Sequence, residues 1–134
     1  MKIYGSGTDI IRIERVKKII KTNKSFKNKI FSKSEIKLCE QRRNNYSCYA
    51  SRFAAKEAFS KSLGTGISRG LSFKEIEIKN DKYGKPFIKV YGNSLKTVYK
   101  ITKRKKFKTF LSISDDKPFA VAFVILTTLW KKIL

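Results

Sequence analysis

The run Tyr49-Ala50-Ser51-Arg52-Phe53-Ala54-Ala55-Lys56-Glu57-Ala58-Phe59-Ser60-Lys61-Ser62-Leu63-Gly64 carries four alanines, no β-branched residue and no proline. Alanine and unbranched side chains lose little freedom in a helix, so the run predicts a helix from about Tyr49 to Leu63, with Gly64 as the left-handed residue that ends it. At roughly 100° per residue, Ala50, Phe53, Ala54, Glu57 and Lys61 share one face, and a carboxylate stands among small and apolar groups. Two readings of Glu57 are open: an ion pair with Lys61 one turn on, worth about 0.2–0.5 kcal/mol to the helix, or a carboxylate held for chemistry.

Upstream, Lys2 to about Asp9 reads as a strand whose Gly5 and Gly7 fall on one face, where another element can approach closely. A helix follows, with Ile13, Val16, Ile19 and Ile20 at helical spacing and basic residues on its other faces. Asp9, between the glycines and a run of isoleucines, either caps that helix or binds something. Ser32-Lys33-Ser34-Glu35 has the form of a capping box, which starts another helix at Ser32.

Downstream, the loop Gly64-Thr65-Gly66-Ile67-Ser68-Arg69-Gly70 exposes backbone amides that could cradle a phosphate, although no Gly-Lys-Ser/Thr follows it as in a Walker A loop. Leu71 to Lys79 and Phe87 to Tyr91 read as strands joined by a turn at residues 80–85, and a short helix spans Leu95 to Ile101. Phe107 to Ser114 and Phe119 to Leu129 form a second hairpin around Asp115-Asp116-Lys117-Pro118, and its nearly all-apolar second strand belongs at a sheet centre. The expected fold is a single α+β domain over residues 1–134, an antiparallel-dominated sheet packed with helices on one side.

Lysine and arginine number 32 against 10 acids, a net charge of +22, so the partners expected are anionic. The preponderance of lysine, with abundant Ile, Asn, Phe and Tyr, is equally what an AT-rich genome produces. No histidine is present, and Cys39 and Cys48 are too few for a zinc quartet; they read as reduced thiols. The chain start has neither a signal peptide's apolar core nor a transit peptide's composition, and no apolar run is long enough to span a bilayer; a cytoplasmic protein with no membrane partner is expected.

Taken together, Gly5-x-Gly7-Thr8-Asp9-Ile10, Glu14-Arg15-Val16, Arg52-Phe53-Ala54-Ala55-Lys56-Glu57-Ala58, Lys61-x-x-Gly64-Thr65-Gly66-Ile67, Leu71-Ser72-Phe73 and Gly84-Lys85-Pro86 resemble, in order and spacing over nearly the whole chain, the small trimeric holo-acyl-carrier-protein synthases. That resemblance implies transfer of 4'-phosphopantetheine from coenzyme A to a serine of apo acyl carrier protein, releasing adenosine 3',5'-bisphosphate, in support of fatty acid biosynthesis. It implies Mg²⁺ held by Asp9 and Glu57, with Lys61 as a further catalytic residue that holds the pyrophosphate or protonates the leaving group. Arg52, Lys61, Gly64, Thr65, Gly66 and Ser112 would contact coenzyme A, and the basic first helix would dock the acidic carrier protein through Arg15, with Lys18 and Lys21 taken from the same helix face. A homotrimer with coenzyme A between subunits is also implied.

The chain departs from the family at Phe110, where family members often carry a histidine expected to touch the nucleotide. Residues past Thr127, including Trp130, Lys131 and Lys132, have no family role. A small RNA-binding protein is the rival from another class, supported by the charge and by Lys103-Arg104-Lys105-Lys106, but it leaves Asp9 and Glu57 unexplained. A homologue that keeps the fold without activity is the third reading, and Phe110 is its one hint.

Overall fold

The computed structural model describes residues 1–129; Trp130, Lys131 and Lys132 lie outside them. Strand β1 (Lys2–Arg12) leads into α1 (Ile13–Thr22), the short α2 (Phe26–Ile30), α3 (Lys33–Glu40) and the long α4 (Asn45–Ser62). A 3₁₀ turn at Phe73–Glu75 precedes the hairpin β2 (Ile76–Asn80) and β3 (Pro86–Val90). Then come α5 (Gly92–Thr102) and the closing hairpin β4 (Phe107–Asp116) and β5 (Phe119–Thr128). All pairing is antiparallel: a three-stranded sheet ordered β1-β5-β4 and the separate pair β2-β3. As the apolar run of the last strand requires, β5 is central. Among the described residues no helix is long and apolar enough to cross a membrane.

Helix α4 lies on one face of the large sheet, with Ala50, Ala54, Ala58 and Phe59 fully buried. The glycines of β1 permit that approach. A Cβ on Gly5 would overlap the carbonyl oxygen of Ser62, and one on Gly7 would overlap that of Ala58. Both clashes are with helix backbone, which cannot rotate away, so Gly7→Ala is expected to cost about 1–3 kcal/mol in a denaturant melt.

A buried ionic cluster ties α3 and α4 to β2. Glu35 completes the expected capping box: the Ser32 hydroxyl accepts from the Glu35 amide (3.2 Å), and Glu35 Oε1 accepts from the Ser32 amide (2.8 Å). The same carboxylate accepts from the amide of Ile78 and meets Lys56 Nζ at 2.9 Å, both side chains having no exposure. Lys56 further donates to the carbonyls of Phe73 and Ile76. These two bonds bend the chain where alternation predicts one strand from Leu71 to Lys79; only Ile76–Asn80 is strand, after the 3₁₀ turn.

Close by, Glu77 accepts from Ser32 (2.6 Å), Ser34 (2.5 Å) and Tyr91 (2.8 Å). Burial pushes its carboxyl up, but these hydrogen bonds outweigh burial and hold it at about 2. A depressed carboxyl stabilises the fold above its unfolded value, and that contribution is lost as pH falls toward 2. Stability should therefore fall between about pH 4.5 and 2, and Glu77→Gln should flatten that part of a pH-dependent melting series.

The first strand and the cysteines also differ from expectation, and one helix is added. β1 runs to Arg12, because its pairing with β5 continues from Asp9 opposite Ala122 to Arg12 opposite Phe119; Asp9 thus lies inside a strand and cannot cap α1. The segment Phe26–Ile30 is an additional helical turn that hydrophobic spacing does not signal in so short a piece. Cys39 and Cys48 are not reduced thiols: the turn between α3 and α4 brings their Cα atoms to 5.4 Å, and a disulfide joins them in the core.

Candidate active site

Gly5, Gly7 and Asp9 alternate along β1 and share the face that α4 covers, because side chains two apart on a strand point the same way. The close contact at Gly7 therefore brings Asp9 beside the C-terminal half of α4. Lys61 Nζ donates to Asp9 Oδ1 at 3.1 Å and to the carbonyl of Thr8 at 3.0 Å. The ion pair between Lys61 and Glu57, one of the two readings of their spacing, does not form; Lys61 reaches across to the strand instead.

Glu57 stands half-buried next to this pair. Burial pushes its carboxyl up, the charge of Asp9 pushes the same way, and Lys61 opposes both. Two carboxylates from separate rigid elements thus repel each other at the site, an arrangement that a cation relieves. Among the described residues there is no cluster of three or more His, Cys, Asp or Glu side chains. A pair of carboxylates is the donor set suited to Mg²⁺, which keeps waters and takes substrate phosphates as its other ligands.

The loop expected to meet phosphate begins three residues past Lys61. Gly64 and Gly66 both have positive φ, +85° and +66°, with open space where a side chain would be. The Gly64 amide closes the helix on the carbonyl of Lys61 (2.9 Å). Arg15, Lys18 and Lys21 are all exposed on α1, whose Ile13 and Val16 face the core.

Two residues of the expected coenzyme A set lie elsewhere. Ser112 is exposed on β4, opposite Phe123, on the sheet face turned away from α4 and Asp9. Arg52 sits about 140° around α4 from Glu57, on the flank facing Asn80, to which its Nη2 donates at 2.6 Å. Its guanidinium is buried, its Nε has no partner among the described residues, and burial followed by the charge of Arg42 lowers its pKa. A cleft of about 490 Å³ opens there; Arg42, Arg43, Arg52, Asn80, Pro86 and one carboxylate, Asp115, are among its lining residues. Arg42 and Arg43 escaped the sequence reading; their signal is the polar stretch Gln41-Arg42-Arg43-Asn44 between two helices.

Comparison with known proteins gives a consistent result. The sequence profile of the 4'-phosphopantetheinyl transferase superfamily matches residues 5–124. The holo-[acyl-carrier-protein] synthase of Pelagibacter ubique is 49% identical over 126 residues, covering 94% of this chain and 98% of that protein. The Bacillus anthracis holo-(acyl-carrier-protein) synthase, crystallised in complex with CoA (3',5'-ADP), superposes with a TM-score of 0.78 at 34% identity, covering 96% of this chain and 100% of the other. The Neisseria meningitidis synthase gives 0.81 at 35% identity, with coverage of 94% and 99%. With its fold and nearly its full length shared with these proteins, the chain belongs to the 4'-phosphopantetheinyl transferase superfamily.

Proposed function

We propose that this chain is a holo-acyl-carrier-protein synthase, transferring 4'-phosphopantetheine from coenzyme A to a serine of apo acyl carrier protein in support of fatty acid biosynthesis in the cytoplasm. The observation that carries the reading is the convergence of Asp9, Glu57 and Lys61 where β1 meets α4. In the reaction the serine oxygen forms a bond to the phosphorus attached to pantetheine. The pyrophosphate P–O bond breaks, the serine hydroxyl loses its proton, and adenosine 3',5'-bisphosphate leaves.

Asp9 and Glu57 would hold Mg²⁺. Bound there, the ion would offset negative charge on the phosphates, the contribution a divalent cation makes in phosphoryl transfer. Lys61 holds the pyrophosphate by charge, and the loop of Gly64, Thr65 and Gly66, whose two glycine amides donate to the carbonyls of Lys61 and Ser60, leaves open space beside it for coenzyme A. Arg15, Lys18 and Lys21 present a basic face to the acidic carrier protein.

The cleft around Arg52 suits a phosphate of the nucleotide, yet within one chain it lies on the opposite flank of α4. A homotrimer accommodates both sites by setting one subunit's arginine cleft against the next subunit's Asp9 edge. The uncovered sheet face supports assembly: Ile10, Phe110 and Phe123 are 61%, 47% and 43% exposed on adjacent strands. Phe110 would then serve packing, and Ser112 would lie near the interface. Neither a nucleic acid nor a membrane is proposed as a partner.

The test is chromatography of the small-molecule products with coenzyme A, apo acyl carrier protein and Mg²⁺. Adenosine 3',5'-bisphosphate should accumulate only when carrier protein is present and should cease to form with chelator. No release from folded protein would reject the reading.

A further inference from the structure

Away from Asp9, Glu57 and Lys61, a groove of about 680 Å³ runs between β3, α5 and the start of β4. Its walls are apolar: Phe87 and Val90 from β3, Leu95 and Tyr99 from α5, Phe107 from β4. Tyr99 and Phe107 meet edge to face, with centroids 6.1 Å apart. Around these walls stand Lys89, Lys105, Lys106 and Lys108, and among the described residues no aspartate or glutamate lines the groove. Among the described residues none of the four lysines has a carboxylate within ion-pair distance. Lys103, in left-handed conformation at φ 56°, ends α5 and turns the basic run toward the groove.

The combination restricts the occupant. A neutral apolar molecule would leave the lysine charges unused, and a nucleic acid would gain little from aliphatic walls. A molecule with one hydrocarbon chain and one anionic head uses both, the chain covering the walls and the head meeting ammonium groups whose stems lie along apolar surface. We infer that this groove binds a single-chain amphipathic anion, an alkyl carboxylate or alkyl phosphate. This site is separate from the transfer site, and its occupancy does not depend on the proposed reaction.

Titration calorimetry of the full chain with dodecanoate and, separately, dodecyl phosphate, below micelle formation and at fixed salt, tests the inference. Saturable binding of one molecule per chain is expected, with butanoate and inorganic phosphate at least about tenfold weaker because they lack the chain. Lys105→Gln/Lys106→Gln/Lys108→Gln should weaken binding about tenfold, and Lys29→Gln/Lys33→Gln/Lys37→Gln, which removes equal charge from α2 and α3, should leave it unchanged. The tighter of the two long-chain probes identifies the preferred head group. Absence of saturable binding, equal affinity for butanoate, or equal loss in the two triple variants would overturn the inference, the last by reducing it to bulk charge attraction.

Discussion

Glu57→Gln is expected to lower phosphopantetheine transfer by at least about a hundredfold, the scale on which a group stabilising developing charge is felt, and to leave a folded protein. Glutamine keeps the bulk of the side chain and removes its charge. Stability separates this account from a purely structural role. Because Glu57 is held above the ordinary carboxylate range by burial and by Asp9, its protonated form favours the fold. That contribution is present at low pH and lost as pH rises through its folded value. At neutral pH the ionised carboxylate therefore works against the fold until a cation arrives. In chelator the variant should melt at or above the wild-type temperature, and added Mg²⁺ should raise the melting temperature of the wild type alone. An active variant, or one that responds to Mg²⁺ like the wild type, would end the metal assignment.

Lys56→Met should be the most destabilising of the substitutions considered, by about 3–5 kcal/mol, because it leaves the Glu35 carboxyl buried without its countercharge. It also strips a donor from the carbonyls of Phe73 and Ile76, the bonds that shape the entry to β2. The companion Lys56→Met/Glu35→Gln removes the unpaired carboxyl and keeps one acceptor oxygen, for the amide of either Ser32 or Ile78. It should recover a substantial part of the loss in urea denaturation. If Lys56→Met alone unfolds like the wild type, the buried pair contributes nothing and the account of the α3–α4–β2 junction is wrong.

The parts of this fold that were legible are those whose cause is local. The alanine-rich stretch of α4, the capping box at Ser32, the glycine that ends α4 and the apolar run of β5 each state their conformation in consecutive residues. What was not legible depends on partners distant in sequence. Alternation from Leu71 onward reads as strand until an ammonium 17 residues upstream takes the Phe73 carbonyl. Asp9 looks like a helix cap until β5 extends the ladder past it. The two cysteines look unpaired until the turn between two helices brings them together.

The site divides in the same way. Gly5 and Gly7 announced a close approach to β1, and Asp9, Glu57 and Lys61 were singled out by spacing and by resemblance; the fold places these three together. Arg52 and Ser112, grouped with them in the sequence, lie on another flank of α4 and on the far face of the sheet. Position along a chain does not distinguish residues that meet within one subunit from those that would meet across an interface.

The most direct measurement is an intact-mass spectrum of apo acyl carrier protein after incubation with this protein, coenzyme A and Mg²⁺, beside a sample containing chelator. The account predicts a mass gain of one phosphopantetheine group on the carrier protein that disappears with chelator. No gain, from folded protein and with a working reference enzyme on the same carrier, would contradict it.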